Sequence, residues 1–354
     1  MKTRKYIDLS NEEIFEQGFE ELLRNLYNRP QYRKPALGSA PTYLFEDAPS
    51  HFKTMNLLKQ LNDAASRQPS RVKEISNYFF DAFFEGLEQF QIESFEPGIP
   101  YDQLIVNKIN DMIVLRNDFI QFVEKQCLIQ DQVYADPFID FFEKIFGFTQ
   151  PSEDVTSYNK SQWDHYKFII QELFVYTILI FIENKQYKTA NEMLNAEYFV
   201  KNPFNSELIY GNYKFFNFYL ESIEVERKQR YPNRVSLTAD MMIQRANLKK
   251  YPKKKMVHTD LLLYYFSIMY EKESSWFPRL YIYGRCEKVE LLERLISKRH
   301  FEKVKVLFGV NTSYELIKKM EKIVGVENMG YCDSFDNIEP IDYHIDPKQI
   351  CTLP

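Results

Sequence analysis

The chain has 354 residues, enough for two domains or for one extended helical array with a continuous core. Hydrophobic residues make up 45% and charged residues 27%, which excludes wholesale disorder, and the net charge is −5. With 30 Phe and 25 Tyr against 10 Gly, the composition suits close-packed helices better than sites built from flexible loops.

Helical grammar begins at once. In "SNEEIFEQGFEELLRNLYN" Ser10 and Glu13 fit a capping box, and Ile14, Phe15, Phe19, Leu22, Leu23 and Leu26 form a stripe at spacings of three and four. The opening "MKTRKYIDLS" has no apolar h-region of a signal peptide, so the cysteines read as free thiols in the cytoplasm. An arm follows with Pro30, Pro35, Pro41 and Pro49, too dense in proline for a helix. The stripe returns at Val72, Ile75, Phe79, Phe83, Leu87 and Phe90, and again over a longer reach in 101–127. Residues 148–160, "FTQPSEDVTSYNK", are the best candidate for a domain boundary. Beyond them "LFVYTILIFI" (173–182) is too short to span a bilayer and predicts a buried core helix. No membrane association is therefore expected. Tyr187, Ala190 and Leu194 suit a helical hairpin, but Glu221 and Glu224 stand where a 34-residue repeat would need an aromatic and a small residue.

Between Glu224 and Lys255 the chain carries ten Lys and Arg against three Asp and Glu, a local charge of +7. Three readings compete, one of them a basic contact for an acidic protein partner. As helix-end chemistry, "RKQRYP" and "NLKKYP" place cations on the negative end of a helix with a proline stop beyond, so that "KKYPKKK" closes a helix begun near Leu237. As a polyanion surface, Arg227, Arg230, Arg234, Lys253, Lys254 and Lys255 contact phosphates while Tyr231 and Tyr251 stack on bases. "RLYIYG" (279–284) and "KVKVLFG" (303–309) have the content of short strands, although the second equally continues a helix, and little sheet is expected.

Glycine spacing excludes GxGxxG and GxxxxGK[ST] loops, and the five histidines are too scattered for a local HExxH or HxH. Hence no cofactor and no metal are expected. One local cluster, Asp342, His344 and Asp346 in "DYHID", would share a face if extended, although an acidic tail more often carries such residues as solvated surface. Arg294 and His300 in "RLISKRH" satisfy the Rx4–6H pattern and so resemble the HEPN family of small helical domains, many of them ribonucleases. That resemblance implies that the pair would position and activate an RNA phosphate and its 2′-hydroxyl. On one continuous helix six residues would leave the two side chains about 120° apart.

The expected architecture is all-α, a multi-helix bundle in two packed halves (1–150 and 151–326), with a Pro-rich N-terminal arm and an irregular acidic tail at 327–354 lying over the surface. The expected function is recognition without chemistry: a cytoplasmic module that binds a protein partner or nucleic acid through a surface including 224–255. The alternatives are a HEPN-like ribonuclease, or an effector-associated subunit of a microbial defence system, the latter by association of composition alone. The oligomeric state is left open.

Overall fold

The computed structural model describes residues 51–92, 98–151, 158–202, 207–270, 275–285, 287–325, 330–332, 334 and 336–354, with Phe15 and Phe19. The chain divides into two units, Met1–Pro49 and Ser50–Pro354. In the first, Phe15 and Phe19 are helical and exposed, and their rings stack at 5.8 Å. The capping box at Ser10 and Glu13 and the proline-rich arm lie outside the described residues.

The second unit is helical: α1 (His51–Arg67), α2 (Val72–Glu88), α3 (Tyr101–Asp111), α4 (Ile113–Ile129), α5 (Asp136–Phe146), α6 (Asp164–Glu183) and α7 (Tyr187–Asn195) come first. A hairpin of β1 (Tyr198–Lys201) and β2 (Leu208–Gly211) follows. Then come α8 (Glu221–Arg230), α9 (Leu237–Arg245), α10 (Lys253–Met269), α11 (Glu290–Glu293), α12 (Lys298–Val304), α13 (Ser313–Glu321) and α14 (Ile341–His344). The all-α expectation holds.

The apolar stripe of α2 behaves as its spacing requires: Val72, Ile75, Phe79, Phe83 and Leu87 are buried, and Phe90 beyond the helix is half-buried. The phenylalanines then pack ring on ring. Phe79 stacks on Phe122 of α4 at 4.1 Å, and Phe141 and Phe142 of α5 lie in the same cluster as Phe119 and Phe174. At the centre α6 is buried from Asp164 to Ile182 except at Lys167, against α3, α4, α5, α7 and α10. With its preceding turn it is long and apolar enough to cross a membrane, but 94% of its apolar window is buried by the rest of the chain. One core runs from Leu58 to Ile350, and Phe148 and Tyr158 of the 148–160 segment pack against it, Phe148 on Tyr166 at 5.3 Å.

Three expectations are corrected. Residues 101–127 form two helices, because the backbone turns at Met112 (φ −73°, ψ 1°). "RLYIYG" makes a 3-10 turn at Tyr281–Tyr283, with Tyr283 N–H donating to Leu280 O, while 303–309 takes the helical one of its two readings. β content needs a partner strand, and neither segment has one among the described residues. Gly309 ends the second with a left-handed φ of 58°, where Asn191 donates to Leu307 O at 3.0 Å.

The acidic tail is the third. Ile338, Ile341, Ile345 and Ile350 are buried, while Asp342 and Asp346 face solvent. Leu353 N–H donates to Ile296 O and Lys298 N–H to Leu353 O, forming a parallel bridge at Ser297. Isoleucine burial therefore anchors a segment whose charge alone suggested a surface course.

Candidate functional site

Glu224 and Arg227 of α8 pair at 3.3 Å, and both are buried. Glu224 Oε1 accepts from Ser236 Oγ at 2.7 Å and from Thr238 N–H at 2.9 Å, while the Arg227 guanidinium donates to Arg234 O. Together they hold the 231–236 loop and start α9, whose N-cap is Ser236. Arg227 is thus a positioning residue and not a surface cation.

The loop forms one wall of a cleft of about 500 Å³. Asp102, Gln103 and Val106 of α3 face it, with Leu237, Asp240, Met241 and Gln244 of α9, Lys253 at the start of α10, and Tyr283. Two tyrosines stand at its mouth, Tyr231 at 52% exposure and Tyr283 at 40%. Tyr283 Oη donates to Asp240, and burial together with that carboxylate raises its pKa. Asp240 also pairs with Arg234 at 3.5 Å, and Arg230 reaches Asp102 at 2.8 Å and Glu226 at 3.3 Å.

Below the cleft sits a buried triad. Arg245, the last residue of α9, donates to Glu172 of α6 from Nε and Nη2 at 2.8–3.2 Å, and from Nη1 to Ile109 O of α3 at 3.0 Å. Arg116 of α4 donates to Arg245 O at 3.1 Å and to Tyr176 Oη at 3.3 Å, with its Nε 3.9 Å from Glu172. Arg245 therefore ties both walls of the cleft to the central helix.

The structure brings Arg234, Lys253 and Tyr231 together and separates the other basic residues. α9 ends at Arg245, so Lys249 and Lys250 lie in a turn, and Lys250 pairs with Glu124 at 2.9 Å. Pro252 caps α10, and Lys253, Lys254 and Lys255 occupy its first turn. "KKYPKKK" is thus a helix start and not a helix stop: Pro252 holds ψ at 161°, which suits an N-cap. Cations there oppose the helix dipole. Glu287 offsets Lys254 at 3.5 Å and Glu183 pairs with Lys255. Tyr251 is buried, which removes it as a stacking platform. Lys228, Lys249 and Lys253 are exposed and have no ion-pair partner among the described residues.

Arg294 and His300 do not share a continuous helix, because Ser297 breaks the chain with ψ 124° and caps α12. Arg294 pairs with Glu290 at 3.2 Å. His300 Nε2 donates to Leu291 O at 3.1 Å, and burial lowers its pKa.

"DYHID" is helical at its start, so Asp342 and Asp346 do not share a face with His344. His344 Nδ1 accepts from Val289 N–H at 3.2 Å, which leaves the proton on Nε2. Nε2 donates to Tyr265 Oη at 2.8 Å, and Tyr265 donates to Glu339 O at 2.5 Å. Burial pushes the His344 pKa down to about 4. Both nitrogens are spent within the protein, and no cluster of metal-binding side chains occurs among the described residues.

Tyr283, Asp102 and Met241 carried no motif; only Tyr283's place in "RLYIYG", read as a strand, drew notice. No protein-family model matches the chain, and neither does any curated protein or solved structure.

Proposed function

We propose that the chain is a recognition module that binds a protein partner, and that the cleft between α3, α8, α9 and the start of α10 forms the centre of the contact. The observation that carries this reading is the convergence of Tyr231, Tyr283, Met241 and Arg234 on one concave surface. Tyr, Met and Arg are the residue types enriched where proteins meet, and energetic anchors cluster in such pockets. The charge of the lining supports a protein over a polyanion: Arg234 and Lys253 are balanced by Asp102 and Asp240. A phosphate backbone is drawn by an excess of cations that displaces its counterions, and that excess is lacking here.

Nucleic acid is the second reading, favoured by Lys228 and Lys249, which are exposed and have no ion-pair partner among the described residues. The test is a photo-crosslinking amino acid placed at Tyr231 in producing cells, with Tyr314, 66% exposed on α13, as the reference position. A protein adduct formed from position 231, absent from 314 and suppressed by Arg234→Glu, supports the proposal. Nucleic-acid adducts alone, or no adduct specific to 231, would overturn it.

A further inference from the structure

The two edges of the β1–β2 hairpin differ. Asn202 N–H donates to Glu207 O at 2.7 Å, one step beyond the Lys201↔Leu208 pairing. Bonded pairs recur at every second residue of an antiparallel ladder, so Val200↔Ile209 and Tyr198↔Gly211 are bonded pairs as well. Phe199 and Lys201 on β1, and Leu208 and Tyr210 on β2, therefore turn their backbone groups away from the hairpin. On the β1 side Glu143 of α5 occupies the edge, accepting from Phe199 N–H at 2.8 Å. On the β2 side Leu208 and Tyr210 have no further backbone partner among the described residues.

The side chains on this free edge are apolar. Leu208 is 63% exposed and Tyr210 67%, and the Tyr210 ring lies 6.0 Å from that of exposed Phe199. Exposed edges are commonly blunted by shortness, a lysine, a proline or a bulge, and Leu208–Gly211, four residues long, has only the first of these.

We propose that β2 is a dimerisation edge and that its occupant is β2 of a second copy of this chain, running antiparallel about a two-fold axis at Ile209. In that register Leu208 stands opposite Tyr210 of the second copy, and each exchanges both of its outward backbone bonds. The two side chains lie on the same face and pack across the new ladder, extending the patch that Phe199 begins. The order outward, inward, outward is symmetric about Ile209, so the edge is complementary to itself, as an isologous contact requires. None of the four residues Leu208–Gly211 carries a charge with which to select a foreign strand.

Sedimentation equilibrium across a dilution series of the full chain tests this. The wild type is expected to dimerise in the micromolar range, as a small edge contact does. Tyr210→Pro removes an outward N–H and leaves the bonded pairs inside the hairpin intact, so it is expected to weaken the dimer at least about tenfold with unchanged circular dichroism. Should that variant misfold, Leu208→Lys/Tyr210→Lys at two exposed positions must have the same effect. Ile209→Cys is expected to give an oxidised dimer linked through position 209, because the two-fold axis brings these residues opposite each other. A wild type that stays monomeric up to about 200 µM, or a dimer indifferent to the foldable edge variants, overturns the proposal.

Discussion

Glu172→Gln probes the buried triad most directly. In the native protein Glu172 is the one carboxylate between Arg245, which donates to it from two nitrogens, and Arg116, whose Nε lies 3.9 Å away. All three side chains are almost fully buried. Neutralising Glu172 leaves two guanidinium groups facing each other with no counter-charge, and removing one member of a buried ion pair costs about 3–5 kcal/mol. That is a large fraction of the roughly 5–15 kcal/mol by which a native protein is stable. At a melting entropy of about 2.1 cal/mol/K per residue over a unit of roughly 300 residues, about 4 kcal/mol lowers Tm by about 6 °C. Urea titration gives the free energy and a thermal scan gives Tm. The double variant Glu172→Gln/Arg245→Met removes one of the uncompensated buried charges, so it should recover part of the loss and yield a coupling energy of about 1 kcal/mol or more. A loss under about 1 kcal/mol for Glu172→Gln, with no coupling, would refute the claim that this carboxylate holds the triad together.

The imidazole of His344 makes stability depend on pH in a definite direction. Its folded pKa of about 4 lies below the ordinary 6.5, so the unfolded chain takes up the proton first and stability falls as pH drops from about 6.5 to about 4. His344→Gln should remove up to about 3 kcal/mol of that loss, read as the difference between the two urea-midpoint curves against pH. Asp260 acts with the opposite sign: burial raises its pKa to about 6, so it opposes folding as pH rises from about 4 to about 6. Its carboxylate accepts from Trp276 Nε1 at 2.7 Å and Leu280 N–H at 2.8 Å, so Asp260→Asn should lose about 1–3 kcal/mol through a mismatched donor and shift the Trp276 fluorescence. Lys254→Gln breaks an exposed pair with Glu287 and should change stability by less than about 0.5 kcal/mol in the same titration. For His300→Ala, RNA cleavage by the purified protein is expected to match the wild-type background, because His300 Nε2 is engaged with Leu291 O; cleavage abolished by this change would restore the ribonuclease reading.

Much of the fold was legible because helices announce themselves locally. The spacing of Val72, Ile75, Phe79, Phe83 and Leu87 requires only a 3.6-residue period and a core to face, and both are present. The apolar run 173–182 could be read as a core helix from its length. Proline was less reliable as punctuation. Pro232 lies just beyond α8 as expected, whereas Pro252 opens α10, and the same residue can serve either end of a helix. The β1–β2 hairpin went unforeseen because four-residue strands carry too little pattern to be distinguished from loop.

The candidate site divides along the same line. Arg234, Lys253 and Tyr231 were visible as a basic segment with aromatic neighbours, a property of composition within one stretch of chain. Their assembly with Asp102 and Tyr283, and the withdrawal of Arg227, Arg245 and Tyr251 into the interior, depend on which helix packs on which. Sequence alone determined the helical class, the central apolar helix and the place where positive charge concentrates, since period, length and composition act through neighbours along the chain. Tertiary structure decided which of those charges remain on the surface. Burial and ion pairing join residues as distant as Asp102 and Arg230, and an electrostatic contact depends on distance in space and not on separation in sequence.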